Sequence, residues 1–366
     1  MRHAMFMIFN QSSGWLLGLL LLCGPFLTTQ AHHSRAPFLI DETFTVTGTV
    51  KQVRWRSPHV FWAVDVVNDD GQIETWTFEG HSIAGLMNNG WQQDSVKEGD
   101  IVQVVANPNR DASRKFGLLD YFQHEDGRVF YSFRAPEGVE VMPATNLIGD
   151  GEIVPSSDFS GTWTGLSDLS PEERLRRALI GPGFSGPTGL PLTAKGEEQL
   201  VEFDLNNDPF LQCLPLSVPR RITWPYATYI SRTENMLQFE TELLPEIRTV
   251  YFDQAGPPAD YVADELGFAR AEFMDEGRTL LITSTDFAAT PWGITRGLDS
   301  STEKQTVEEY KLSDDGLVIS YRITTTDPVF LTEPVVTEGR YQKVADKVFT
   351  REYCDLEASN LHLQFE

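Results

Sequence analysis

The sequence predicts a mainly β protein made of two consecutive units, an OB-like five-stranded barrel followed by a lipocalin-like antiparallel β-barrel or meander with short helices. Three observations carry this. From Phe44 onward apolar and polar residues alternate with the period of strands. The first blocks run three strands, a short helix, then further strands, which is the order of an OB-type barrel. After a stretch rich in Pro, Gly and acidic residues at 134–157, a second and longer series of alternating blocks begins. The expected organisation is a signal peptide over 1–31, an OB-like domain over 32–133, a linker over 134–157 and a lipocalin-like domain over 158–366.

The chain opens with Arg2 and His3 ahead of an apolar run, Trp15–Leu27, and Thr29-Gln30-Ala31 places small residues at −3 and −1 of a cleavage site. These are the three parts of a secretory signal, and the apolar run is too short for a comfortable membrane span. Cys23 lies inside that run behind three leucines, a poor context for lipid attachment. Processing after Ala31 would leave a mature chain in the periplasm or secreted, starting with His32 and His33. No later segment is apolar for long enough to cross a membrane.

In the first unit Thr45–Trp55 reads as a strand broken by Arg56-Ser57-Pro58. His59–Asn68 is the second strand, and Asn68-Asp69-Asp70-Gly71 is a hairpin turn into Gln72–Phe78. His81–Asn89 is a short helix stopped at Gly90. Ile101–Asn107, Lys115–His124 and Val129–Phe133 complete the series. Trp55, Trp62, Trp76 and Trp91 stand at strand or helix-end positions where aromatics usually face a core, although they could stack a ligand.

In the second unit Ser170-Pro171-Glu172-Glu173 is a helix start with a capping box, and Thr193–Phe203 is a second short helix. Strands are expected at Thr228–Ser231, Met236–Glu242, Arg248–Phe252, Thr279–Asp286, Thr302–Leu312, Leu317–Thr325 and Arg340–Arg351. Asp314-Asp315-Gly316 turns between two of them. A barrel interior could hold a small apolar molecule or be packed solid; Trp224, Tyr226, Tyr229 and Trp292 are the candidate stacking residues.

The formal charge is −24, from 53 acidic against 29 basic residues, and signal removal takes away only Arg2. Such a field repels phosphate backbones, so no nucleic-acid partner is expected. Cys213 and Cys354 remain after processing, a disulfide candidate in an oxidising compartment or two separate buried thiols.

Two resemblances follow from motifs taken in order. Ala31-His32-His33-Ser34, Thr47-Gly48-Thr49-Val50, Ser57-Pro58-His59, Glu79-Gly80, Gly90-Trp91, Lys97-Glu98-Gly99-Asp100 and Asn107-Pro108 resemble an exported proteobacterial domain of unknown function over about residues 31–133. The second half, with Pro191–Thr193, Cys213–Pro215, Thr326–Pro328 and Tyr353–Cys354, is similar to other uncharacterised exported bacterial proteins. The resemblances imply the architecture and an exported setting, and leave the activity open.

The sharpest chemistry in the sequence is the processed N-terminus. His32 could chelate a metal through its free amine and Nδ1, with His33 or His59 as a third nitrogen and His81 as a further candidate. Copper is the strongest binder of such a nitrogen set. The bland alternative is a polar N-terminal segment with His59 packed at a strand end. Against enzyme templates, the chain has no Gly-x-Ser-x-Gly elbow, no His-Glu-x-x-His and no phosphate-binding glycine loop. The sequence therefore favours an exported binding protein, taking copper at its N-terminus or a small hydrophobic molecule in the second unit. A copper-dependent oxidoreductase, an unrecognised hydrolase and an envelope scaffold are the alternatives.

Overall fold

In the computed structural model the described residues are 37–138, 152–166, 189–201, 203, 207–223, 226–242, 244–346 and 354–360. The expected signal segment, His32, His33, Trp224 and the helix expected at Ser170 lie outside them.

The first barrel contains β1 (Phe44–Arg54), β2 (Phe61–Val67), β3 (Ile73–Glu79), α1 (Ile83–Asn88), β4 (Ile101–Pro108), β5 (Phe116–His124) and β6 (Val129–Tyr131). The sheet order is β3-β2-β1-β4-β5-β6, and a parallel pairing of β3 with β5 closes five strands into a barrel. This is the OB-like order the sequence predicts. Strand β1 makes it possible by serving two partners: Phe44–Thr49 pair with β4, while Gly48–Arg54 pair with β2. A register shift between Val50 and Gln52 bends β1 from one partner to the other. Gly48 lies where the two ladders overlap, and a Cβ there would stand 2.4 Å from the Asp65 carbonyl oxygen. Only glycine permits that approach.

Inward-facing residues of these strands meet in a core of Val50, Trp62, Val64, Phe78, Leu86, Trp91, Val104 and Phe122. Trp62 and Trp91 pack with ring centroids 5.2 Å apart, and the Trp91 indole donates to the Tyr131 carbonyl at 2.7 Å. These two tryptophans are therefore core. The Ser82 hydroxyl caps α1 by accepting from the Gly85 amide at 3.1 Å.

The second barrel is formed by β7 (Gly161–Gly165), β8 (Thr228–Arg232), β9 (Met236–Thr241), β10 (Leu244–Tyr251), β11 (Phe268–Met274), β12 (Thr279–Thr285), β15 (Gln305–Leu312), β16 (Val318–Thr326) and β17 (Val335–Lys343). These nine strands close on themselves where β17 pairs with β7. Their pairings are antiparallel except β10 with β11, a parallel contact of two residue pairs. A short helix α2 (Ala194–Val201) precedes β8, and a hairpin of β13 (Thr290–Thr295) and β14 (Leu298–Ser300) lies between β12 and β15. The chain's last described element is α3 (Leu356–Asn360). Among the described residues no helix is long and apolar enough to cross a membrane.

The middle of this barrel is filled. Trp163, Ile230, Leu237, Val250, Leu280, Ile282, Tyr310, Ile319 and Tyr341 occupy it. Buried with them is a charged pair: the Arg248 guanidinium meets both carboxylate oxygens of Glu308, at 2.5 and 2.8 Å. Ser284 accepts from Arg248, and Thr306 and Tyr310 donate their hydroxyls to Glu308. Burial opposes a charged Arg248, but Glu308 outweighs that opposition and holds the guanidinium above its ordinary pKa.

Cys213 and Cys354 are bonded to each other, with Cα atoms 5.5 Å apart. The bond fixes the segment that leads into α3, and this segment lies against the first barrel. Cys354 bridges Ser57, the Asp355 amide donates to the Ser57 carbonyl at 3.0 Å, and Arg54 pairs with Glu357 at 2.6 Å. Tyr226 of the second unit makes a further link to Ser82, and burial pushes its phenol up to about 12.

Candidate functional site

A cavity of about 620 Å³ opens at one end of the second barrel, beyond the packed middle. Three pieces of chain wall it: the segment after the cis Val218–Pro219 bond, the β13–β14 hairpin, and the facing ends of β16 and β17. Pro219, Ile294, Val335, Val336 and Leu190 give it hydrocarbon; Thr223, Thr295, Thr325 and Thr337 give hydroxyl-bearing side chains; Arg220 and Arg296 give charge.

Local sequence explains why the hairpin presents Arg296 here. Thr295 pairs with Leu298, so Arg296 and Gly297 form a two-residue turn. Gly297 takes φ of +82°, and a Cβ there would come within 2.3 Å of the Phe203 ring. Both facts require glycine. Behind the turn the Trp292 ring stacks on Phe203 at 5.6 Å and carries the Arg220 guanidinium 5.6 Å above its own centroid. Arg220 is fixed by an ion pair to Asp208 at 2.5 Å. Arg296 differs: among the described residues its guanidinium makes no hydrogen bond and no close ion pair. Burial lowers its pKa, as does the neighbouring Arg220, and Asp208 opposes both.

Lys304 ties two of these walls together from behind. Its ammonium donates to Ser217 Oγ, to the Val218 carbonyl at 3.1 Å and to Ser300 Oγ at 3.1 Å, and the Gly293 carbonyl lies 3.5 Å away. The Phe287 ring covers it at 4.1 Å. Acceptors from both the 217–218 segment and the hairpin thus meet on one side chain that is 1 % exposed. Desolvation pushes Lys304 down to about 7 despite the attraction of Asp327. The unfolded chain keeps this proton to about pH 10.4, so above pH 7 it binds a proton the native state has released, and stability rises with pH. Relative to Lys304→Met, the wild type should therefore gain about 2 kcal/mol between pH 7 and pH 9 in urea unfolding. A difference that stays flat over that range would place the lysine's titration elsewhere.

The described stacking candidates, Tyr226, Tyr229 and Trp292, are not part of the cavity lining. Trp292 is buried beneath the Arg220 side chain, Tyr226 packs on the cluster of Phe210, Leu216 and Leu244, and Tyr229 alternates with inward-facing Thr228 and Ile230. Of the histidines, His59 Nδ1 lies 2.5 Å from Glu79 Oε1. His81 Nδ1 accepts from the Ser82 amide at 2.8 Å while its ring packs on Phe133 at 5.0 Å. Among the described residues no three His, Cys, Asp or Glu side chains stand together as a metal-holding group. His32 and His33 fall outside the described residues.

The residues that shape the cavity, Arg220, Arg296, Lys304 and the threonines, belong to no motif. The available signals were the Val218-Pro219-Arg220-Arg221 run and the Arg296-Gly297 turn. Both look like ordinary loop chemistry until the fold places them at one barrel end.

Residues 21–118 match the model of a family of unknown function (DUF6152), a span that takes in β1 to β4 and the start of β5. No curated protein and no solved structure matches the chain.

Proposed function

We propose that this is an exported binding protein whose second barrel takes a small, largely apolar molecule in the cavity at its end. The observation that carries the reading is the cavity itself: about 620 Å³, walled mainly by hydrocarbon, with a few polar groups converging on it. Ligand pockets commonly have that size and that mixture. The walls are also held in place, by Lys304 behind them and by the Tyr341 hydroxyl, which donates to the Ile222 carbonyl at 2.5 Å. A preformed cavity spends less of its binding free energy on ordering. The Cys213–Cys354 bond supports the exported setting, periplasmic or secreted, because such bonds persist in oxidising compartments.

The neutral fluorescent probe N-phenyl-1-naphthylamine tests this. The wild-type protein should give saturable fluorescence enhancement, and Thr337→Trp, which fills the cavity from β17, should weaken binding at least about tenfold without lowering the melting temperature. Equal binding by both proteins would place the probe elsewhere and sink the reading.

A further inference from the structure

We infer that the ligand of this cavity is an amphipathic monocarboxylate, its carboxylate on Arg296 and its hydrocarbon body against Pro219, Ile294 and Val335. The inference rests on the cavity being the ligand site, and adds the chemistry of the headgroup.

Three observations lead to it. The first is the contrast between Arg296 and the buried arginines of the second barrel. Arg220 is paired with Asp208, Arg221 with Glu246 and Arg248 with Glu308. Among the described residues, Arg296 alone of these four has no carboxylate in contact. A guanidinium offers five N–H donors in a rigid fork, and at Arg296 none of them is committed to a protein acceptor among the described residues. A ligand oxygen pair can take two of them at once.

The second observation is the charge environment. Arg220 lies close enough to disfavour the charged form of Arg296, and Asp208 close enough to favour it. One added negative charge suits such a site. A dianion would meet the Asp208 carboxylate with only one uncommitted fork to hold it. A carboxylate takes a single bidentate pair, which is the geometry a lone guanidinium provides. The third is the remainder of the wall, in which Ile294 and Thr295 directly precede Arg296 and Val335 and Thr337 face it from β17. An apolar body next to the charged head fits that lining.

The test displaces N-phenyl-1-naphthylamine with octanoate and with 1-octanol, which share a chain and differ in the head. Octanoate should displace the probe from the wild type at a concentration at least tenfold lower than octanol. In Arg296→Met that advantage should vanish while octanol displaces as before, which also shows that the variant is folded; Arg296→Lys should keep part of it. If octanoate and octanol are equally effective on the wild type, or if Arg296→Met retains the preference, the headgroup assignment is overturned and the cavity reading stands. If the wild type binds neither the probe nor octanoate, both readings fall together.

Discussion

Arg248→Met should destabilise the protein by about 3–5 kcal/mol, the largest effect of any single replacement considered, because it strands the Glu308 carboxylate inside a packed barrel. Glu308 is 0 % and Arg248 2 % exposed, so water cannot take over the lost partner. The Thr306 and Tyr310 hydroxyls that point at Glu308 would stay in place but carry no compensating charge. Adding Glu308→Gln to Arg248→Met removes the orphaned charge and should recover a large part of the loss. The coupling in this double-mutant cycle, read by urea unfolding, is the discriminating quantity. Additive effects of the two replacements would mean that the pair does not act as a unit.

Replacing both Cys213 and Cys354 by Ser should cost about 5 kcal/mol in the chain-entropy account of a cross-link, given the 141-residue separation of the two cysteines. The loss should also have a location. With the bond gone, Arg54–Glu357 and Arg56–Asp355 are exposed or half-exposed ion pairs and Ser57–Cys354 a single backbone bridge, contacts that are individually weak. Amide exchange should therefore rise at Arg54–Ser57 and along α3 before it rises in either barrel core. Dithiothreitol applied to the wild type should reproduce both effects. Identical unfolding midpoints with and without the bond, or protection unchanged at Ser57, would show that the bond does not hold this junction.

How much of this was legible in the sequence varies with the type of signal. The first barrel was readable almost strand by strand, because its strands alternate cleanly and Asn68–Gly71 and Gly90 are turn and stop chemistry with one meaning. The pairing of Cys213 with Cys354 was open to an arithmetic argument from two surviving cysteines. In the second barrel β11 escaped notice: its central Ala-Arg-Ala-Glu favours helix, and the surrounding barrel overrides that preference. Strand β17 was placed too late, since Glu338-Gly339-Arg340 interrupts its alternation while Gly339 makes room for the Tyr321 hydroxyl. The cavity could not be read at all. It depends on Pro219, Arg296 and Thr337, which are more than 100 residues apart at their extremes, and no local pattern records that the barrel brings them together. Aromatic residues, the usual signature of a small-molecule site, pointed instead to Trp292, which supports Arg220 from below.

The most direct test of a ligand-binding second barrel is a crystal structure of the protein grown with saturating octanoate. The account predicts the chain lying between Pro219 and the β13–β14 hairpin, with its carboxylate on the Arg296 guanidinium. Octanoate bound elsewhere on the molecule, with this cavity holding solvent alone, would contradict it.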